Sequence, residues 1–156
     1  MITNTALRLQ TTCNEAYDRF TEYCNQSVHY VIAVLVDSQW PLELADDMIN
    51  HITSESWQEV DDQTASQLAN QGVVVVAGLK GGANGHVVVV YPGDPKPQLG
   101  FNCNGTYYPP GKDGVFPLSM STSESNWCGT RSRGDKTIRD AWTAADWPYV
   151  RRWRQP

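Results

Sequence analysis

Two valine runs, VVVVAG at 73–78 and HVVVVYPG at 86–93, flank the segment LKGGANG and constrain the fold more than any other part of the chain. Branching at Cβ suits valine to extended backbone, and a glycine- and asparagine-rich connector supplies a turn, so the spacing predicts a β-hairpin. Neither run alternates with polar residues. Strands of that kind need cover on both faces, and the cover has to come from elements elsewhere in the sequence.

Helical periodicity upstream supplies that cover. From Thr12 to about Val36, the residues Ala16, Phe20, Tyr23, Ser27, Tyr30 and Val31 fall near one stripe. The pattern predicts two helices broken near Glu22 to Asn25, the second opening at Cys24 or just after it and running through VHYVIAVLV. Residues 41–56, from Pro41, carry Leu44, Met48, Ile49 and Ile52 three and four apart, as a one-faced helix requires. A short helix from Asp62 to Asn70 follows, stopped by Gly72.

Beyond Pro92 the text turns to Gly, Pro, Asn and Ser. A strand is expected at Gln98 to Cys103 and another near Tyr107, then an irregular stretch to about Ser125. The segment from Lys136 to Trp153 returns to the core as strand or helix. Arg151, Arg152 and Arg154 around Trp153 read as a solvated tail. The fold class is therefore α+β, with N-terminal helices packed on a small antiparallel sheet.

The chain has 156 residues, 40% hydrophobic and 19% charged, which fits one domain spanning 1–156. A net charge of −5 without a sustained Lys/Arg run argues against nucleic acid as a partner, because phosphate contacts need clustered positive charge. No apolar run reaches the ~20 residues of a membrane span. The opening MITNTALRLQ lacks a basic segment followed by an apolar one, so synthesis in the cytoplasm without a secretory signal is expected.

Four cysteines, Cys13, Cys24, Cys103 and Cys128, lack the close pairs of a zinc site, and neither metal nor cofactor is expected. With Cys24 reserved as a working thiol, three remain for at most one internal disulfide. Cys13 with Cys128 is the preferred pair.

A cysteine that opens a buried helix has its thiolate favoured by the helix N-terminus, and a nearby imidazole completes a nucleophile. Cys24 holds that position. His86 stands where the Gly-rich connector becomes a strand, an unusual setting for a solvated histidine. His29, one turn inside the helix of Cys24, and His51, on a polar helix face, are weaker bases. An imidazole base also needs a polar group on its second nitrogen. Asn102 and Asn104, expected to share one face of a neighbouring strand, both qualify. Tyr91, Tyr107, Tyr108 and Trp127 fall in segments that can flank a cleft.

TEYCNQSVHYV, then LADDMINHI with Trp57, then ANQGVVVVAGLKGGANGHVVVVYPG resemble the NlpC-type papain-like peptidoglycan hydrolases, most nearly the type VI secretion amidase effectors. The resemblance covers roughly residues 15–105. CNQS stands where the family carries a small residue and an aromatic after the cysteine. The resemblance implies a papain-like NlpC-type fold, Cys24 as nucleophile, His86 as base and later acid, and Asn104, just before Gly105, as orienter, with Asn102 the alternative. It also implies that the Cys24 backbone N–H serves the oxyanion. The implied activity is hydrolysis of a stem-peptide amide of bacterial peptidoglycan, commonly between D-glutamate and diaminopimelate, in the periplasm of a target cell or on the wall. A cognate immunity protein and a component of a secretion apparatus are the implied partners. A phage-type endolysin, a non-catalytic cell-wall or protein-binding module, and an acyltransferase on the same scaffold are the competing readings.

Overall fold

The computed structural model describes residues 3–81 and 85–156 and shows an α+β protein with four helices and an antiparallel sheet. Residues 82–84 of the Gly-rich connector lie outside the described residues.

Helix α1 spans Asn4–Arg19, so it begins well before Thr12. Thr3 caps it, its hydroxyl accepting from the Ala6 amide at 3.0 Å, and Ala6, Leu9, Cys13 and Ala16 form its buried stripe. Helix α2 follows at Cys24–Leu35 after the expected break. The chain from Pro41 to Leu44 belongs to no helix or strand, α3 covers Ala45–Ser54, and α4 covers Asp62–Ala69. Gly72 closes that stretch at φ +84°, in the left-handed region that glycine enters freely.

Among the described residues there are eight strands, in chain order β1 Gln58–Glu59, β2 Val75–Leu79, β3 His86–Lys96, β4 Phe101–Cys103, β5 Thr106–Tyr108, β6 Phe116–Ser121, β7 Ser132–Thr137 and β8 Arg151–Arg154, β1 lying between α3 and α4. Six of them form one sheet, ordered β1-β8-β2-β3-β6-β7, and every pairing is antiparallel. The valine runs pair as a hairpin, Val76 opposite Val89 and Leu79 opposite His86. Val87, Val88, Val89 and Val90 are all fully buried. Successive side chains of a strand point to opposite faces, so both faces of β3 are covered, as the unbroken valines require.

Two expectations for the C-terminal half are corrected. The stretch before Ser125 is not irregular: it holds β6, which pairs with the other edge of β3, Val89 opposite Met120 and Tyr91 opposite Leu118. The terminal arginines are not a solvated tail. They belong to β8, which lies between β1 and β2, buries Trp153, and pairs Arg151 with Glu59 and Arg152 with Asp62.

The disulfide joins Cys103 to Cys128 rather than Cys13 to Cys128. Cys13 sits on the inner stripe of α1, fully buried in the hydrophobic core, and Cys24 is free.

Candidate active site

The first turn of α2 presents Cys24. Tyr23 is its N-cap, in extended backbone, and the first bond of the helix runs from the Ser27 amide to the Tyr23 carbonyl at 3.1 Å. The amides of Cys24, Asn25 and Gln26 therefore point out of the helix N-terminus without a helical acceptor. Side chains clamp the turn on two sides. Ser27, fully buried, meets the Thr122 hydroxyl at 2.7 Å, and Asn25 donates to the Glu43 carbonyl at 3.0 Å.

His86 opens β3 and is 8% exposed. Its Nε2 lies 3.0 Å from Ser121 Oγ, while that hydroxyl donates to the Thr130 carbonyl at 2.6 Å. A hydroxyl has one proton, and Thr130 takes it, so Ser121 accepts from the ring. This fixes the Nε2–H tautomer and leaves the lone pair on Nδ1, the nitrogen a base needs. Trp142 packs edge-on against the ring, 5.4 Å between centroids at 63°. Burial lowers the His86 pKa to about 4, so the imidazole is neutral at pH 7.

Cys24 and His86 line the same cleft, about 830 Å³ in volume. The Cys24 sulfur lies close enough to the backbone N–H of Val87, the residue after His86, for that dipole to favour the thiolate, as do the amides of Asn25 and Cys24 itself. Burial outweighs these amides and raises the thiol pKa, and the Glu124 carboxylate adds to the rise. Among the described residues no hydrogen bond joins the thiol to the imidazole. The cleft thus holds a neutral thiol and a neutral imidazole. Such a pair reacts by proton transfer as the sulfur attacks, not from a standing thiolate.

Residues 44–47 and Ser123, Glu124, Ser125 and Trp127 are among the residues that line the cleft. Its charged lining is mostly acidic, Glu22, Asp46, Asp47, Glu124 and Asp146 against Lys80.

The structure does not bring Asn104 or Asn102 to the imidazole. Asn104 occupies the turn of the separate β4–β5 hairpin at φ 51°, followed by Gly105 at φ 83°, and its amide donates to the Asn126 carbonyl at 2.9 Å. Left-handed backbone at both positions is the turn chemistry that an Asn-Gly pair supplies between two short strands. Asn102 is exposed on the same hairpin, opposite Tyr107. Ser121 takes the place assigned to them. The alternation in FPLSMS, Leu118 and Met120 against Ser119 and Ser121, is compatible with a strand but does not say that the strand lies beside β3.

The other histidines serve packing. His29 Nε2 bonds the Trp40 carbonyl at 2.7 Å, and His51 lies between Glu43 and Glu55 with its ring stacked on Trp40 at 3.9 Å. Of the candidate aromatic residues, Trp127 lines the cleft. Tyr91 is buried and donates to Asn14 at 2.9 Å, and Tyr107 and Tyr108 belong to the β4–β5 hairpin.

No protein-family model matches the sequence, and no curated protein matches it significantly.

Proposed function

We propose that this protein is a cysteine hydrolase with a papain-like NlpC-type fold. More particularly, it is a peptidoglycan amidase that cleaves a stem-peptide amide, the bond between D-glutamate and diaminopimelate being the favoured one. The observation that carries the reading is the meeting, in one cleft, of a cysteine at a helix N-terminus with a neutral histidine whose Nε2–H is fixed by Ser121. The resemblance of residues 15–105 to the NlpC-type hydrolases supplies the substrate class.

The geometry supports a stepwise mechanism. As the Cys24 sulfur attacks the carbonyl carbon, Nδ1 of His86 takes the thiol proton. The tetrahedral oxyanion forms at the mouth of α2, where the Cys24 amide has no helical acceptor and the helix dipole favours negative charge. His86 then gives the proton to the leaving amine, and the C–N bond breaks to leave a thioester. Water, deprotonated by the same nitrogen, releases the acid and restores the thiol.

An antibacterial effector handed across by a secretion apparatus, and restrained at home by an immunity protein, is the setting the resemblance favours. The test is expression of the wild type and of Cys24→Ala with and without a periplasmic export signal in a Gram-negative host. Lysis by the exported wild type alone supports the reading. Equal effects of both proteins would remove it and favour a binding module.

A further inference from the structure

Two consecutive hydroxyls at the end of β6 reach the two members of the reacting pair. Ser121, the last residue of the strand, takes the His86 Nε2–H at 3.0 Å. Thr122, the next residue, is fully buried, and its hydroxyl lies 2.7 Å from that of Ser27 in the first turns of α2. The Ser123 amide then donates to the Thr21 carbonyl at 3.2 Å. Residues 122 and 123 therefore hold the chain on either side of Cys24.

The contact at Ser27 runs on to the nucleophile residue itself. Ser27 Oγ donates to the Cys24 carbonyl at 3.1 Å. A hydroxyl has one proton, and Ser27 gives it to Cys24; Thr122, which has no other acceptor among the described residues, therefore donates to Ser27. The Cys24 carbonyl shares a planar peptide unit with the Asn25 N–H, one of the amides that favour the thiolate. Fixing the carbonyl thus fixes that N–H, and a chain of hydrogen bonds polarises each member in turn.

Other contacts keep α2 folded and in place without this relay. Val28 and Val31 are buried in the core, and helical geometry also gives the Cys24 carbonyl the Val28 amide. The side chains of Asn25, His29 and Tyr30 bond to Glu43, Trp40 and Glu15, none of which belongs to the six-stranded sheet. Ser27 is the residue whose side chain bonds α2 to the strand end that holds His86. Apolar packing is non-directional, whereas a hydrogen bond sets the aim of the group it ends on.

We propose that Thr122 and Ser27 are positioning residues for Cys24, their hydroxyl relay pinning the Cys24–Asn25 peptide to the same strand end that pins the imidazole. Ser121 and Thr122 thereby register base and nucleophile against one another. The inference rests on the reading of Cys24 and His86 as the reacting pair. Because the other contacts remain, loss of the relay costs aim and not the fold.

Three substitutions test it. Thr122→Val keeps the outline of the side chain without its hydroxyl, Thr122→Ser keeps the hydroxyl, and Ser27→Ala removes the middle of the relay. Iodoacetamide alkylation of Cys24 across pH needs no substrate and reads the thiol, hydrolysis of purified peptidoglycan reads kcat and KM, and circular dichroism with urea melts follows the fold. The expected result for Thr122→Val is a folded protein whose alkylation midpoint moves upwards. Its alkylation rate at pH 7 and its kcat should each fall about threefold to tenfold, the worth of one hydrogen bond, with KM little altered. Thr122→Ser should restore both. Thr122→Val combined with Ser27→Ala should be no slower than Ser27→Ala alone, since the two hydroxyls act through one path.

Wild-type alkylation and kcat in a folded Thr122→Val would overturn the inference. So would a Thr122→Ser protein as slow as Thr122→Val, or losses that add in the double variant. Failure of both Thr122→Val and Ser27→Ala to fold would overturn it too, because the hydroxyls would then serve the whole domain. If the wild type hydrolyses nothing, the proposed activity fails, while the alkylation profiles still decide the role of the relay.

Discussion

His86 and Ser121 meet from adjacent antiparallel strands, β3 and β6, with the imidazole Nε2 3.0 Å from a hydroxyl whose own proton is committed to the Thr130 carbonyl. One buried serine thus does what an amide or carboxylate commonly does beside an imidazole base. It accepts from one ring nitrogen and so frees the other.

Replacing that serine tests the relation directly. Ser121→Ala leaves the Nε2–H and the Thr130 carbonyl without partners in a buried place, at about 1–3 kcal/mol of stability. Catalysis should fall through kcat, by about tenfold to a hundredfold, because removing a base outright costs about 10²–10⁴. Steady-state kinetics beside urea melts separate the two effects. An unchanged kcat in a folded variant would show that Ser121 is mere packing.

Acid should destabilise the protein through His86. Its folded pKa, about 4, lies below the ordinary value of 6.5, so between these values the unfolded chain binds a proton that the native state refuses. The stability that His86 contributes is whole above pH 6.5 and is lost as pH falls towards 4, roughly 3 kcal/mol at full effect. Urea melts of the wild type and of His86→Gln at pH 7 and pH 4 check this. The wild type should lose more stability than the variant across that window.

The hairpin, α+β class, helix break at Cys24 and placement of His86 were all legible in the residues. Runs of valine and helical stripes report burial, and burial is what organises the sheet and the first turn of α2. The orienter was not legible, because the serines of FPLSMS are fully buried within the sheet yet look like loop residues by composition. The Asn-Gly pair at 104–105 read as a site when it makes a turn. The start of α1 was missed although Ala6, Leu9, Cys13 and Ala16 continue the helical stripe upstream. The place of β8 beside β2, and the partner of Cys128, are long-range facts that no local pattern encodes.

Burial is the main cause that raises the Cys24 pKa, and the charge of Glu124, exposed in the cleft lining, adds to the rise. Glu124→Gln should therefore move the pH midpoint of Cys24 alkylation by iodoacetamide downwards and speed the reaction at pH 7. Salt should shrink the difference between the two proteins, since an exposed charge is screened. A midpoint that does not move would place the carboxylate too far from the sulfur to matter.

Gly72 bears on the fold apart from the site. A Cβ built there comes within 2.5 Å of the Thr5 backbone, and φ is +84°. Gly72→Ala should cost at least about 1–2 kcal/mol from backbone conformation alone, with further loss from the clash. In urea the midpoint should fall with little change in slope. A midpoint equal to wild type would mean that α1 and the 70–72 turn yield without cost.

Digestion of purified peptidoglycan by the wild type and by Cys24→Ala, with mass spectrometry of the soluble products, tests the central claim most directly. The expected result is stem-peptide fragments bearing a new amine and a new carboxyl end, from the wild type alone, with masses that identify the D-glutamate–diaminopimelate bond. The same fragments from both proteins, or none from a folded and oxidised wild type, would contradict Cys24 as the nucleophile of a peptidoglycan amidase.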